Sequence, residues 1–200
     1  MPVRSSAQTD VYLAGLAECM PEQDFTAVTK LYAAIDQRIH SYILGDAPYF
    51  GFALQYCTGE PPPELFTVKK GSELDALIRA GLATGLWRAH PPPPEGQPEL
   101  VLIPPGGAGP PRDPATSESI AFDPAGSFVT CSVVYTLQPH LSRVWERYDR
   151  YSVANSKVKL SAMLDFFEAA DYNLASVRYF IALDIILQRM LLLNDYRSLR

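Results

Sequence analysis

The sequence predicts an α+β fold, with helices at both termini around a small, mainly antiparallel sheet and a proline-rich loop projecting from it. Three observations lead there. Apolar residues recur at helical spacing through "DFTAVTKLYAAIDQRIHSYIL" (24–44). Residues 129–137 alternate along a strand-like period of two behind a tight turn. Residues 174–193 are apolar on nearly every side of a helix. With 200 residues, 48% of them hydrophobic and 20% charged, the chain fits a single domain (1–200) with a sizeable core.

The first helix is expected after Thr9 or Asp10, both good N-caps, with Leu13, Leu16, Ala17 and Met20 on one face and Pro21 after its end. Asp24 is the expected cap of the second, where Val28, Leu31, Tyr32, Ile35, Ile39, Tyr42 and Ile43 form the stripe and Gly45 the stop. The aromatic segment 49–58 fits strand or helix equally. "ELFTVKK" (64–70) reads as a short strand between Pro61–Pro63 and Gly71. Ser72 and Asp75 form a capping box for a helix carrying Leu74, Leu77, Ile78 and Leu82.

Residues 91–114, "PPPPEGQPELVLIPPGGAGPPRDP", are a Pro/Gly-rich flexible loop. Within it, Leu100–Ile103 is expected as an edge strand pinned to the body. The prolines themselves read as a stiff spacer, or as a ligand for an aromatic-lined groove. Then Asp123-Pro124-Ala125-Gly126 makes a turn. Val129, Cys131, Val133, Tyr135 and Leu137 alternate with Thr130, Ser132, Val134 and Thr136, so 117–137 is expected as a β-hairpin. Beyond it come a helix from Pro139 (Leu141, Val144, Trp145, Tyr148), a helix over 157–170, and a last one capped by Asp171 or Asn173 and reaching about 194.

That last helix poses the main question. It has nearly the length of a membrane span, but Arg178, Asp184 and Arg189 lie inside it. Each charge costs roughly 2.5–3.5 kcal/mol near a bilayer centre, which argues against a span. A helix apolar on nearly all sides is instead central to a core or shared with a partner. Asp184, between Leu183 and Ile185, must then be paired or protonated.

The net charge of −5 gives no long-range attraction for nucleic acid or an anionic membrane. The basic stripe Arg143, Arg147, Arg150 is interrupted by Glu146 and Asp149 and is best read as local ion pairs. The three cysteines, Cys19, Cys57 and Cys131, are widely spaced and read as buried free thiols of a cytosolic or nuclear protein. The N-terminal stretch lacks the pattern of a secretory signal. Asp36 and His40, four apart, could be half of a general-base arrangement. Asp165, Glu168 and Asp171 read as a solvated helix face rather than a cation site. Phosphate-loop, dinucleotide-binding, nucleophile-elbow and zinc-protease motifs do not occur, and no cofactor or metal is expected.

These readings favour a non-enzymatic protein–protein interaction or regulatory protein, able to self-associate through its C-terminal helix. Phe180, Leu187, Leu191, Arg143, Arg147 and Arg150 are its candidate partner-binding residues. The alternative is a small-molecule-binding protein or enzyme with a pocket involving Asp36, His40 and Asp184.

Overall fold

The computed structural model describes residues 4–59, 61–90, 119–137, 139–146, 156–194 and 196. It is mostly helical, with helices at both ends and one two-stranded antiparallel sheet. The helices are α1 (Arg4–Cys19), α2 (Glu22–Tyr42), α3 (Pro48–Thr58), α4 (Glu73–Ala83), α5 (Ser127–Tyr135), α6 (Pro139–Glu146), α7 (Ser156–Phe166), α8 (Ala175–Phe180) and α9 (Leu187–Leu193). A π-helical stretch, Ile181–Ile186, joins α8 to α9 without a break. The strands are β1 (Trp87–His90) and β2 (Ser119–Phe122), in the register Trp87↔Phe122, Arg88↔Ala121, Ala89↔Ile120 and His90↔Ser119. The segment 91–114, with the expected strand Leu100–Ile103, lies outside the described residues.

The last helix is the axis of the core. Every residue from Tyr179 to Gln188 is buried. The π stretch packs on α2, α8 on α1, and α9 on β2. No helix among the described residues is long and apolar enough to cross a membrane. An aromatic chain ties the sheet to this axis. Trp87 stacks on Phe122 at 4.7 Å, and Phe122 meets Phe128 at 4.4 Å. Phe128 meets Trp145 edge-on at 5.5 Å, and Trp145 meets Phe180 edge-on at 5.1 Å. Rings at these separations bury large areas and lock relative tilt. A Cβ at Gly81 would stand 2.6 Å from Leu31 Cδ1, so the missing side chain lets α4 lie close against α2.

Several expectations change. The hairpin over 117–137 is not formed. Ser119–Phe122 is a strand, but its partner is Trp87–His90, and 127–135 is helix. The run "SFVTCSVVY" is short and apolar enough to satisfy both periods. Packing decides, since Phe128, Val129, Cys131 and Ser132 are buried at helical spacing. The strand expected at 64–70 is a 3₁₀ turn, Pro63–Leu65, followed by irregular chain. Its backbone groups are met by local turn bonds and by side chains rather than by a neighbouring strand. Arg38 donates to the carbonyls of Glu64, Leu65 and Thr67. Asn194 donates to Phe66 O and accepts from Val68 N. The ambiguous segment 49–58 is helical.

Asp24 does not cap α2, which starts at Glu22 behind Pro21; its carboxylate instead accepts the Ser127 hydroxyl at 2.7 Å. The first helix starts at Arg4, ahead of Thr9 and Asp10. The last begins after Leu174, with a 3₁₀ turn, Asp171–Asn173, before it. Cys19 and Cys131 are not free thiols. They form a disulfide with Cα atoms 5.8 Å apart, joining α1 to α5, and Cys57 lies outside that bridge.

At the start of α4, Ser72 Oγ accepts from Asp75 N as the capping box predicts. The Asp75 carboxylate reaches back one residue further, to Gly71 N, and also accepts from Arg79 Nε and the buried Tyr196 hydroxyl. Tyr196, Gly71 and Arg79 together hold the Asp75 carboxyl down at about 2.

Two outcomes follow from this packing. Leu187→Ala, at a site 1% exposed, should cost about 2–5 kcal/mol in denaturant unfolding, the range for a deleted core leucine. Asp75 has a folded pKa below its ordinary 3.8. The tether it makes to Tyr196 is therefore complete above that value and lost as the pH falls through about 2. In a carboxyl-detected NMR titration, Tyr196→Phe should move the Asp75 midpoint up toward 3.8; an unmoved midpoint would show that the phenol is not its main support.

Candidate functional site

On α2, residues 32, 36 and 40 recur four apart, next to the buried stripe of Val28, Leu31, Ile35 and Ile39. Tyr32, Asp36 and His40 therefore emerge along the edge of the core. Pro48 starts α3 and places Tyr49, itself buried, against that edge. From α8, Arg178 arrives on the same spot.

The result is a compact polar cluster. Asp36 Oδ1 accepts from Arg178 Nη2 at 2.6 Å, from Tyr49 OH at 2.8 Å and from Tyr32 OH at 3.2 Å. The guanidinium also stands over two rings, 5.1 Å from the Tyr49 centroid and 5.8 Å from that of Tyr32. Tyr179 stacks on Tyr32 at 3.8 Å, and Tyr12 meets Tyr179 edge-on at 5.9 Å. His40 Nδ1 donates to the Asp36 carbonyl at 2.8 Å and lies 3.7 Å from Asp36 Oδ1. That bond puts a proton on Nδ1, so in the neutral ring Nε2 is the acceptor.

Burial alone would raise the Asp36 pKa, but hydrogen bonds from Arg178 and Tyr49 and the charge of Arg178 outweigh it, and the carboxyl sits below its ordinary value. Burial pushes the Tyr32 and Tyr49 phenols up, so both remain neutral donors. The side chains of Asp36 and Arg178 stay 24% and 27% exposed, so the pair is reachable from outside. Arg178 Nε is buried with no hydrogen-bond partner among the described residues. The cluster thus offers a fixed cation, a fixed anion, two aromatic faces and an imidazole acceptor.

Asp36 and His40 thus belong to one cluster, whereas Asp184 makes a separate contact. It accepts from Lys159 Nζ at 2.7 Å, with side chains 0% and 2% exposed. This is the paired state that a carboxylate in that helix requires, and the partner comes from α7. Phe180, Leu187 and Leu191, expected to meet a partner, are each 1% exposed within the chain's own core. The chain itself covers the apolar face on which self-association was expected. Arg143 is exposed on α6, while Arg147 and Arg150 lie outside the described residues. Asp165 and Glu168 are exposed, as the solvated face predicts. No group of three or more metal-ligating side chains occurs among the described residues.

Sequence reasoning did not place Tyr32 or Arg178 in the site. Tyr32 was legible as one further step of the Asp36–His40 spacing. Arg178, 142 residues from Asp36, announced itself only as a charge interrupting an apolar helix.

Removing Lys159 takes a buried cation from beside the Asp184 carboxylate, so Lys159→Met should destabilise the fold by about 3–5 kcal/mol. The double change Lys159→Met with Asp184→Leu should recover most of that loss in equilibrium unfolding. A double variant no more stable than the single one would mean the pair contributes more than mutual neutralisation.

Comparison of the chain with protein-family models, with curated proteins and with solved structures finds no match. The functional reading therefore rests on this geometry.

Proposed function

We propose that the chain is a small-molecule-binding protein of regulatory type, which takes a ligand carrying a carboxylate or phosphate at the Asp36–Arg178 cluster. The observation that carries this is Arg178 itself. Asp36 and two tyrosine rings hold the guanidinium rigidly, while its buried Nε has no partner among the described residues. The side chain is 27% exposed, so an acceptor that reaches the open part of this ordered guanidinium gains a charge-assisted hydrogen bond, with no side-chain ordering left to offset the gain. His40 Nε2 supplies an acceptor for a hydroxyl or amine on the same ligand.

Protein–protein interaction remains the second reading, moved from the buried last helix to a different surface. Val11 is 52% exposed on α1, Val134 65% on α5 and Leu137 56% just beyond it, and α1 and α5 pack together. Apolar side chains left this open on neighbouring elements fit a contact with another protein.

Native mass spectrometry, with citrate and inorganic phosphate as probes, separates the readings. The binding reading expects a monomer with an adduct that survives gentle desolvation and weakens at least tenfold in Arg178→Gln. A dimer that Val134→Asp converts to monomer, with no adduct, would favour the interaction reading instead.

A further inference from the structure

The candidate site is connected to the disulfide through α1. Cys19 is the last residue of α1 and is exposed, whereas Cys131 on α5 is 2% exposed. Two further contacts hold the same helix pair together. The Tyr12 hydroxyl and Ser132 Oγ share a buried hydrogen bond of 3.0 Å. The two helices are so close at Gly15 that a Cβ there would stand 2.1 Å from the Tyr135 ring. Tyr12 in turn presses its ring on Tyr179, and Tyr179 stacks on Tyr32, which hydrogen-bonds Asp36. A continuous line of contacts thus runs from the sulfur bridge to the carboxylate that fixes Arg178.

We propose that the Cys19–Cys131 disulfide is a redox-sensitive clamp. It holds α1 against α5 and, through Tyr12 and Tyr179, sets the Tyr32 wall of the Asp36–Arg178 site. The regulatory meaning rests on the binding reading above; the clamp itself does not. The asymmetric exposure dictates the chemistry. An external dithiol, as its thiolate, attacks Cys19 Sγ, which belongs to the more exposed residue of the pair. The S–S bond breaks, and Cys131 leaves as a thiolate that takes a proton. The second thiol of the reductant then displaces Cys19 from the mixed disulfide. The reductant ends as a cyclic disulfide, and the protein has gained two electrons and two protons. The cross-link ties the end of α1 directly to α5, so what its loss frees in the folded chain is that helix contact. α1 then opens locally at lower cost than the rest of the fold.

Hydrogen–deuterium exchange of the full chain, oxidised and after dithiothreitol, tests this without any ligand. In the oxidised chain only Cys57 should react with an alkylating agent under non-reducing native conditions; alkylation of all three cysteines would overturn the clamp at once. On reduction, amides of residues 11–19 should exchange at least tenfold faster. Those of 32–36 and 175–180 should accelerate less, and those of α4 should not change. The variant C19S/C131S should exchange fast in α1 with or without reductant. Equal α1 exchange in both redox states overturns the proposal. So does acceleration of α4 to the same extent, which is global loosening, or a change in α1 with none at 175–180. If citrate and phosphate bind in neither redox state while the exchange pattern holds, the binding reading fails and the clamp stands.

Discussion

A helix that runs through the middle of a core has no face left for water, and the rest of this structure follows from that. From Tyr179 to Gln188 every side chain is buried. The apolar ones repay burial at roughly 1.5–3 kcal/mol each. The polar ones have to be matched inside the protein. Asp184 is matched by Lys159, which fixes α7 against the last helix. Arg178, one turn and a half earlier, is matched by Asp36, which fixes α2. The π-helical stretch surrounds Asp184. Such stretches widen the helix from i→i+4 to i→i+5 hydrogen bonds and are rare in helices.

The same logic of satisfaction runs through the irregular parts. Residues 63–68 have no strand partner, yet Arg38 and Asn194 meet their carbonyls and the Val68 amide. Asp75 meets the backbone at the head of α4 and the Tyr196 hydroxyl together. Side chains from the end of the described chain therefore hold its middle, and the long-range contacts are polar as well as apolar. The disulfide adds a covalent link of the same kind between α1 and α5.

The Asp36 cluster differs from the Lys159–Asp184 pair in one respect. Both join distant elements through a carboxylate and a cation. The Lys159–Asp184 pair is sealed, and its role is complete once the helices are docked. The Asp36–Arg178 pair is about a quarter exposed, lies between aromatic faces and has an imidazole on its rim. Preorganised charge of this kind at a surface is where recognition is least costly.

The sequence by itself determined the helices at both ends, the capping of α4, the exclusion of a membrane span and the need for Asp184 to be paired. Each is a local or compositional constraint. Helical spacing, a capping serine and the cost of charge in lipid act within a few residues or on one segment. Tertiary structure decided the rest. It made 127–135 a helix, because a nine-residue apolar run satisfies two periods and only its neighbours choose. It withheld a strand from 64–70, because side chains from far along the chain took its backbone bonds. It joined Cys19 to Cys131 and brought Arg178 to Asp36, since spacing in sequence carries no information about which distant elements will pack. The Asp36–His40 half of the site was legible because it lies on one helix face. The Arg178 half was not, because it comes from another helix that only the core holds in place.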